Sequence, residues 1–274
     1  MAELSAADIA GAARALMLAG RWRLAAELLD RAVPADEGER AVLAVADAEA
    51  AVDQDFWERT GGGSTALDRA TAAVGRDQGV LAFDLEFIRL KHDYASELFG
   101  AGDGEPSWGP DGRDRVVAER LSSRAEALRD GAPDASRRAN AAFYAGVIAE
   151  NLRGDSAAGR ACFQEALRCG EEAGDGLIVS YALRHLGYQE AEHGDRARAR
   201  DMLQRSMELR QSAGCVPLVL AQQFALAELA MNTGDVAWAR TAADLVRTWA
   251  RALGDTWLGP AAESLLSGSA GSAG

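Results

Sequence analysis

The chain has 274 residues, of which 48% are hydrophobic and only 6% aromatic, and it carries a formal net charge of −13. That length and apolar fraction suffice for a continuous buried core. The negative balance excludes nucleic acid as the principal partner, because phosphate binding needs concentrated Lys and Arg, and it disfavours an anionic membrane surface.

The first twenty residues, MAELSAADIAGAARALMLAG, place acids early and lack a basic leading segment, so no signal peptide is expected. No apolar run approaches the ~20 residues needed to span a bilayer. Gly20 followed by Ala25, Leu29 and Ala32 predicts a helical hairpin over about 5–33. Helices are predicted over about 37–58, 65–75 and 78–99, with Gly61-Gly62-Gly63-Ser64 as a break and Ser64 as the N-cap of the 65–75 helix. The segment AGDGEPSWGPDG, 101–112, holds Pro106, Pro110 and four glycines, which do not belong in a helix interior. It divides a helical region over 1–100 from a more regular one over 113–267, and Trp108 within it is expected to dock on a neighbouring helix. Residues 268–274, Gly- and Ser-rich, read as a flexible tail.

Over the second region the sequence repeats. Gly154-Asp155, Gly194-Asp195 and Gly234-Asp235 recur every 40 residues, and Gly174, Gly214 and Gly254 keep the same register. A helical hairpin explains the pattern. Glycine closes the first helix in a left-handed conformation that needs no Cβ, aspartate caps the second helix, and a second glycine ends it. Small residues such as Gly187 and Ala199 let the paired helices approach closely. One hairpin cannot bury its apolar face alone, so neighbouring hairpins must stack. The fold class is therefore all-α.

Leu186-Gly187, then Gly194-Asp195, Ala199 and Leu203, resemble the tetratricopeptide repeat. Gly154-Asp155, Phe163 and Ala166 match the same pattern in the preceding unit, and Leu226, Gly234-Asp235 and Ala239 match it in the next. The chain departs from that family in its 40-residue period, in the absence of a closing proline, and in Glu150, Glu190 and Ala230, which stand where an aromatic is usual. As a whole it resembles actinobacterial tetratricopeptide-like proteins, a likeness that implies no particular activity. The resemblance implies a right-handed superhelix of antiparallel hairpins, an α-solenoid, whose first helices line a concave groove.

That register assigns Tyr144, Ile148, Asn151 and Leu152 to the groove from one unit, with Tyr181, Arg184, Tyr188 and Glu192 from the next. Phe224, Glu228, Met231 and Asn232 come from the third. The mixture of Tyr, Arg, Asn and Phe suits a protein or peptide partner. Arg184 alone does not make the carboxylate clamp of some family members. An alternative is an enzyme or small-molecule sensor with a pocket around His92, Glu150, His185 and Glu190. Glu150 and Glu190 would then have raised pKa values; otherwise each meets an Arg or a helix N-terminus across its hairpin. A third reading is a homodimer formed through the apolar last segment, with Trp257, Leu258, Leu265 and Leu266.

No HExxH, CxxC or GxSxG motif occurs, and His185 and His193 lie too far apart along one helix to chelate an ion, so no metal, cofactor or catalytic residue is expected. Cys162 and Cys169 fall about 10 Å apart on one helix, beyond disulfide reach. With Cys215 they read as reduced thiols, which together with the missing leader points to the cytoplasm.

Overall fold

The computed structural model describes residues 4–75, 79–100, 106–254 and 257–268. Among them every regular element is helical. The N-terminal part holds α1 (Ala6–Leu18), α2 (Trp22–Asp30), α3 (Glu37–Glu58), α4 (Gly63–Ala73) and α5 (Gly79–Phe99). The remainder holds α6 (Arg115–Asp130), α7 (Ala135–Arg153), α8 (Ser156–Ala173), α9 (Gly176–Glu192), α10 (Arg196–Ser212), α11 (Val216–Asn232), α12 (Val236–Leu253) and α13 (Leu258–Ser267). Each helix from α6 to α13 packs chiefly on its sequence neighbours.

The repeat governs the local structure. Asp155, Asp195 and Asp235 each accept a hydrogen bond from the backbone N–H three residues on, capping α8, α10 and α12. Gly154, Gly194 and Gly234 all have positive φ. The helices of a hairpin touch where glycine replaces a side chain. A Cβ on Gly146 would stand 2.5 Å from the Phe163 ring, and one on Gly187 would stand 3.1 Å from Leu203. Phe163 and Leu203 are fully buried at these crossings.

The N-terminal part meets the remainder in two places. In the middle of the chain, α5 contributes Leu90, Tyr94, Leu98 and Phe99 to the core it shares with α6–α9. At the far end, the α1–α2 turn lies against α11 and α12, so a Cβ on Gly20 would stand 3.3 Å from Pro217 and 3.6 Å from Leu253.

Three local expectations change. Ser64 lies inside α4 and Gly62 is its N-cap. Both oxygens of Asp55 reach back to the amides of Gly62 and Gly63, at 3.0 and 2.6 Å, and a carboxylate at a helix N-terminus outcompetes a hydroxyl. Trp108 is 55% exposed rather than docked. Arg113 instead ties this loop down by donating to the carbonyls of Gly109, Glu97 and Ser107, and Pro110 sits against Gly154. The residues 101–105 at the start of the linker, and 269–274 of the tail, lie outside the described residues. Finally, α13 turns its apolar side inward, burying Leu258, Ala262 and Leu265 against α11 and α12. Of the four residues expected at a dimer contact, Leu258 and Leu265 are buried here, and Trp257 and Leu266 are partly buried against the same core.

Candidate binding site on the inner helices

Tyr181, Arg184 and Tyr188 follow one another at i, i+3 and i+7 on α9 and share a face. Arg184 crosses to α11, where its Nη1 donates to the Ala221 carbonyl at 2.7 Å. Its Nη2 donates to the Tyr188 hydroxyl at 3.3 Å, and the guanidinium lies over the Tyr188 ring, 5.1 Å from its centre. Tyr188 in turn donates to Glu228 Oε2 at 3.3 Å, joining positions 40 residues apart. Burial pushes the Glu228 carboxyl up, partly offset by Arg184 and Tyr188. Burial also pushes the Tyr188 phenol up to about 12. Asn232, one turn beyond Glu228, is exposed.

The rest of the expected groove is occupied by the protein itself. Tyr144 meets Phe87 and Tyr94 of α5 edge-on, with centroids 5.2 and 5.7 Å away. Asn151 Nδ2 donates to the Tyr94 hydroxyl at 2.6 Å. Beside Tyr144, Lys91 of α5 and Asp53 of α3 form an ion pair at 2.5 Å. Burial works against the Lys91 ammonium, but Asp53, Tyr144 and Glu49 outweigh it and hold the ammonium protonated. Ile148 is fully buried and Phe224 is 8% exposed; both face core clusters rather than a groove. Their positions at the crossings with adjacent helices require apolar filling. Leu152 is buried likewise, and Met231 packs on the core of α11–α13, while Glu192 is exposed.

The residues of the alternative pocket fall in three separate places. His92 packs over Gly63 at the start of α4 and lies 3.4 Å from Asp93. Glu150 joins α7 to α9, with His185 Nδ1 at 3.0 Å and Gln189 Nε2 at 2.6 Å. Burial pushes the Glu150 carboxyl up, but the hydrogen bonds from His185 and Gln189 hold it below the usual carboxylate range. Burial lowers His185, wedged between Phe143 and Phe163, and Glu150 offsets this only in part. The pair is thus a carboxylate accepting from a neutral imidazole. Glu190 is bonded by Arg160 of α8, which lowers its pKa, with Arg198 of α10 at 3.8 Å. Neither acid is a raised, unpaired carboxyl; both are structural partners. Among the described residues no group of His, Cys, Asp and Glu could hold a metal ion.

The most unusual group is one that the groove register did not single out. Arg210 of α10 is only 1% exposed, yet among the described residues no carboxylate lies within 4 Å of it. Its Nε donates to Ser180 Oγ at 3.2 Å and its Nη1 to the Leu218 carbonyl at 2.9 Å. The Tyr181 ring centre lies 5.5 Å from the guanidinium. Ser206 Oγ donates to the Ser180 carbonyl at 2.7 Å and approaches Gln222 Oε1 at 3.1 Å. Burial, with Arg184 nearby, pushes the guanidinium down to about 9.

The 40-residue register makes this cluster stand out. Arg210 occupies the position of Gly170 and Ala250, and Ser206 that of Ala166 and Val246, all of them buried. Gln222 occupies that of Ala142 and Ala182, also buried. This break in the repeat was the available signal, and it was visible in the aligned sequence. Cys215, beside the cluster, has its thiol pushed up to about 11 by burial, which keeps it protonated at neutral pH.

No family model matches the chain, and a search of curated proteins finds no relative. Among the described residues, no helix is long and apolar enough to cross a membrane.

Proposed function

We propose that this protein is a non-catalytic binding module of tetratricopeptide-like hairpins wound as a right-handed superhelix. It takes a short protein segment on the strip formed by Arg184, Tyr188, Glu228 and Asn232. The observation that carries this reading is the Arg184–Tyr188–Glu228 relay between consecutive first helices. Its guanidinium, phenol and carboxylate are held rigid and half-buried beside an exposed amide, the residue types from which peptide contacts are built. The half of the groove nearer α7 is taken by α5, so the strip on α9 and α11 suits a short segment rather than a long extended one. The unpaired thiols Cys162, Cys169 and Cys215 support a cytoplasmic setting for this module.

Native mass spectrometry of the protein purified from its own host tests the proposal. A co-purifying peptide or protein is expected with the parent chain and is lost from Tyr188→Ala. The same species retained on Tyr188→Ala and on Asn232→Ala overturns the proposal.

A further inference from the structure

The polar cluster of α9, α10 and α11 carries a separate inference, which stands whether or not the neighbouring strip holds a peptide. Removing a guanidinium from water is costly unless an anion or several acceptors replace the hydration. Lys91 has Asp53, and Arg184 has Glu228 through Tyr188. Arg210 has two neutral acceptors, Ser180 Oγ and the Leu218 carbonyl; among the described residues its Nη2 meets no protein acceptor, and that nitrogen is not sealed from solvent. The Gln222 Nε2 in the same cluster also lacks an acceptor. Reversing that amide would give it the Ser206 hydroxyl, but Arg210 has no such remedy because every guanidinium nitrogen is a donor. The cluster is therefore short of one negative charge and of acceptors. It also occupies positions that the neighbouring hairpins fill with glycine, alanine or valine, so packing alone did not require it.

We infer that Arg210 is the anchor of a binding site for a small carboxylate, whose two oxygens take the free Nη edge of the guanidinium beside the Tyr181 ring. One uncompensated cation calls for a monoanion, and the planar fork matches the geometry of a carboxylate. Phosphate, with more charge at neutral pH, needs a second free cation, and Arg184 is already engaged with the Ala221 carbonyl, Tyr188 and, through it, Glu228. Tyr181, Arg184 and Tyr188, half-buried on one face of α9, form the approach, and the aromatic wall favours an acid with an apolar or aromatic body.

The test uses the full chain and three probes, sodium acetate, sodium benzoate and sodium phosphate, at ionic strength matched with sodium chloride. Benzoate is expected to raise the melting temperature logarithmically with concentration, by about 3 °C at ten times its Kd, and acetate to do so more weakly. In the same titration the Nε–H NMR signal of Arg210 is expected to shift in the parent protein. Arg210→Lys, with its helical circular dichroism retained, is expected to lose at least tenfold in affinity. A peptide with a free C-terminus, compared with its amide, separates the sources. Stabilisation by the free acid alone identifies a peptide terminus as an occupant, and equal inertness of both leaves small acids as the class. Equal effects of chloride or phosphate overturn the inference. So does an unmoved Arg210 signal, a result that does not depend on the variant folding.

Discussion

The hairpins α7–α8 and α9–α10 follow one template and differ in what they enclose. Both are capped by the aspartate of a Gly-Asp pair and both cross at a glycine. The first packs Phe143 and Phe163 around His185 of α9, and its Glu150 is matched by an imidazole and an amide of that neighbouring helix. The second encloses Ser180, Ser206 and Arg210, a charge with no opposite partner among the described residues. A polar network closed locally rigidifies the fold, whereas one left open keeps a buried charge without its counter-ion.

The largest effect that would test this contrast lies at the two crossings. Gly146→Ala puts a Cβ 2.5 Å from the buried Phe163 ring, a clash expected to cost about 2–3 kcal/mol even after the gain in helix propensity. Gly187→Ala meets Leu203 at 3.1 Å, and urea denaturation is expected to place it within about 1 kcal/mol of the parent. Equal losses would show that the two crossings are packed alike.

Between the two polar groups a smaller difference is expected. Glu150→Ala strands His185 and Gln189, at a cost of about 2 kcal/mol. Arg210→Met removes an unmatched buried charge along with two hydrogen bonds, and is expected to cost about 1 kcal/mol or less. A greater loss for Arg210→Met would mean that the arginine holds the hairpin together.

Acid should weaken the junction between the two hairpins in particular, where His185 of α9 meets Glu150 of α7. His185 has a lowered folded pKa, so its contribution is complete above the ordinary value of 6.5 and declines as pH falls through its folded one. Glu150, also lowered, adds a second loss below 4.5. Melting curves from pH 7 to 4 are expected to shift downward in the parent protein and less so in His185→Gln, which removes the titrating imidazole. A rise in stability on acidification would contradict the neutral assignment of His185. The smallest effect belongs to a site outside both hairpins: Trp108→Ala, at an exposed position, should stay within about 0.5 kcal/mol.

Much of this architecture was legible from spacing. The Gly-Asp pairs mark the hairpin turns because cap chemistry is local, and helices α3 and α5 appear close to their expected limits. Ser64 misled because the better acceptor, Asp55, comes from the preceding helix. Ile148 and Phe224 misled because a repeat register fixes which helix a residue is on more firmly than which neighbour covers it. The packing of α5 over Tyr144 and Asn151 is a long-range contact that no periodicity announces. Arg210 was legible in principle, as the single large residue in a column of Gly170 and Ala250, yet its isolation from carboxylates is known only from three dimensions.

The seat of the α1–α2 turn on Pro217 and Leu253 has a consequence for how this chain can evolve. Open helical arrays gain and lose whole units freely, since each touches only its neighbours. Here the start of the chain measures the distance to its last hairpins. Deleting or duplicating one 40-residue unit between them would carry Pro217 out of register with Gly20 and break this contact.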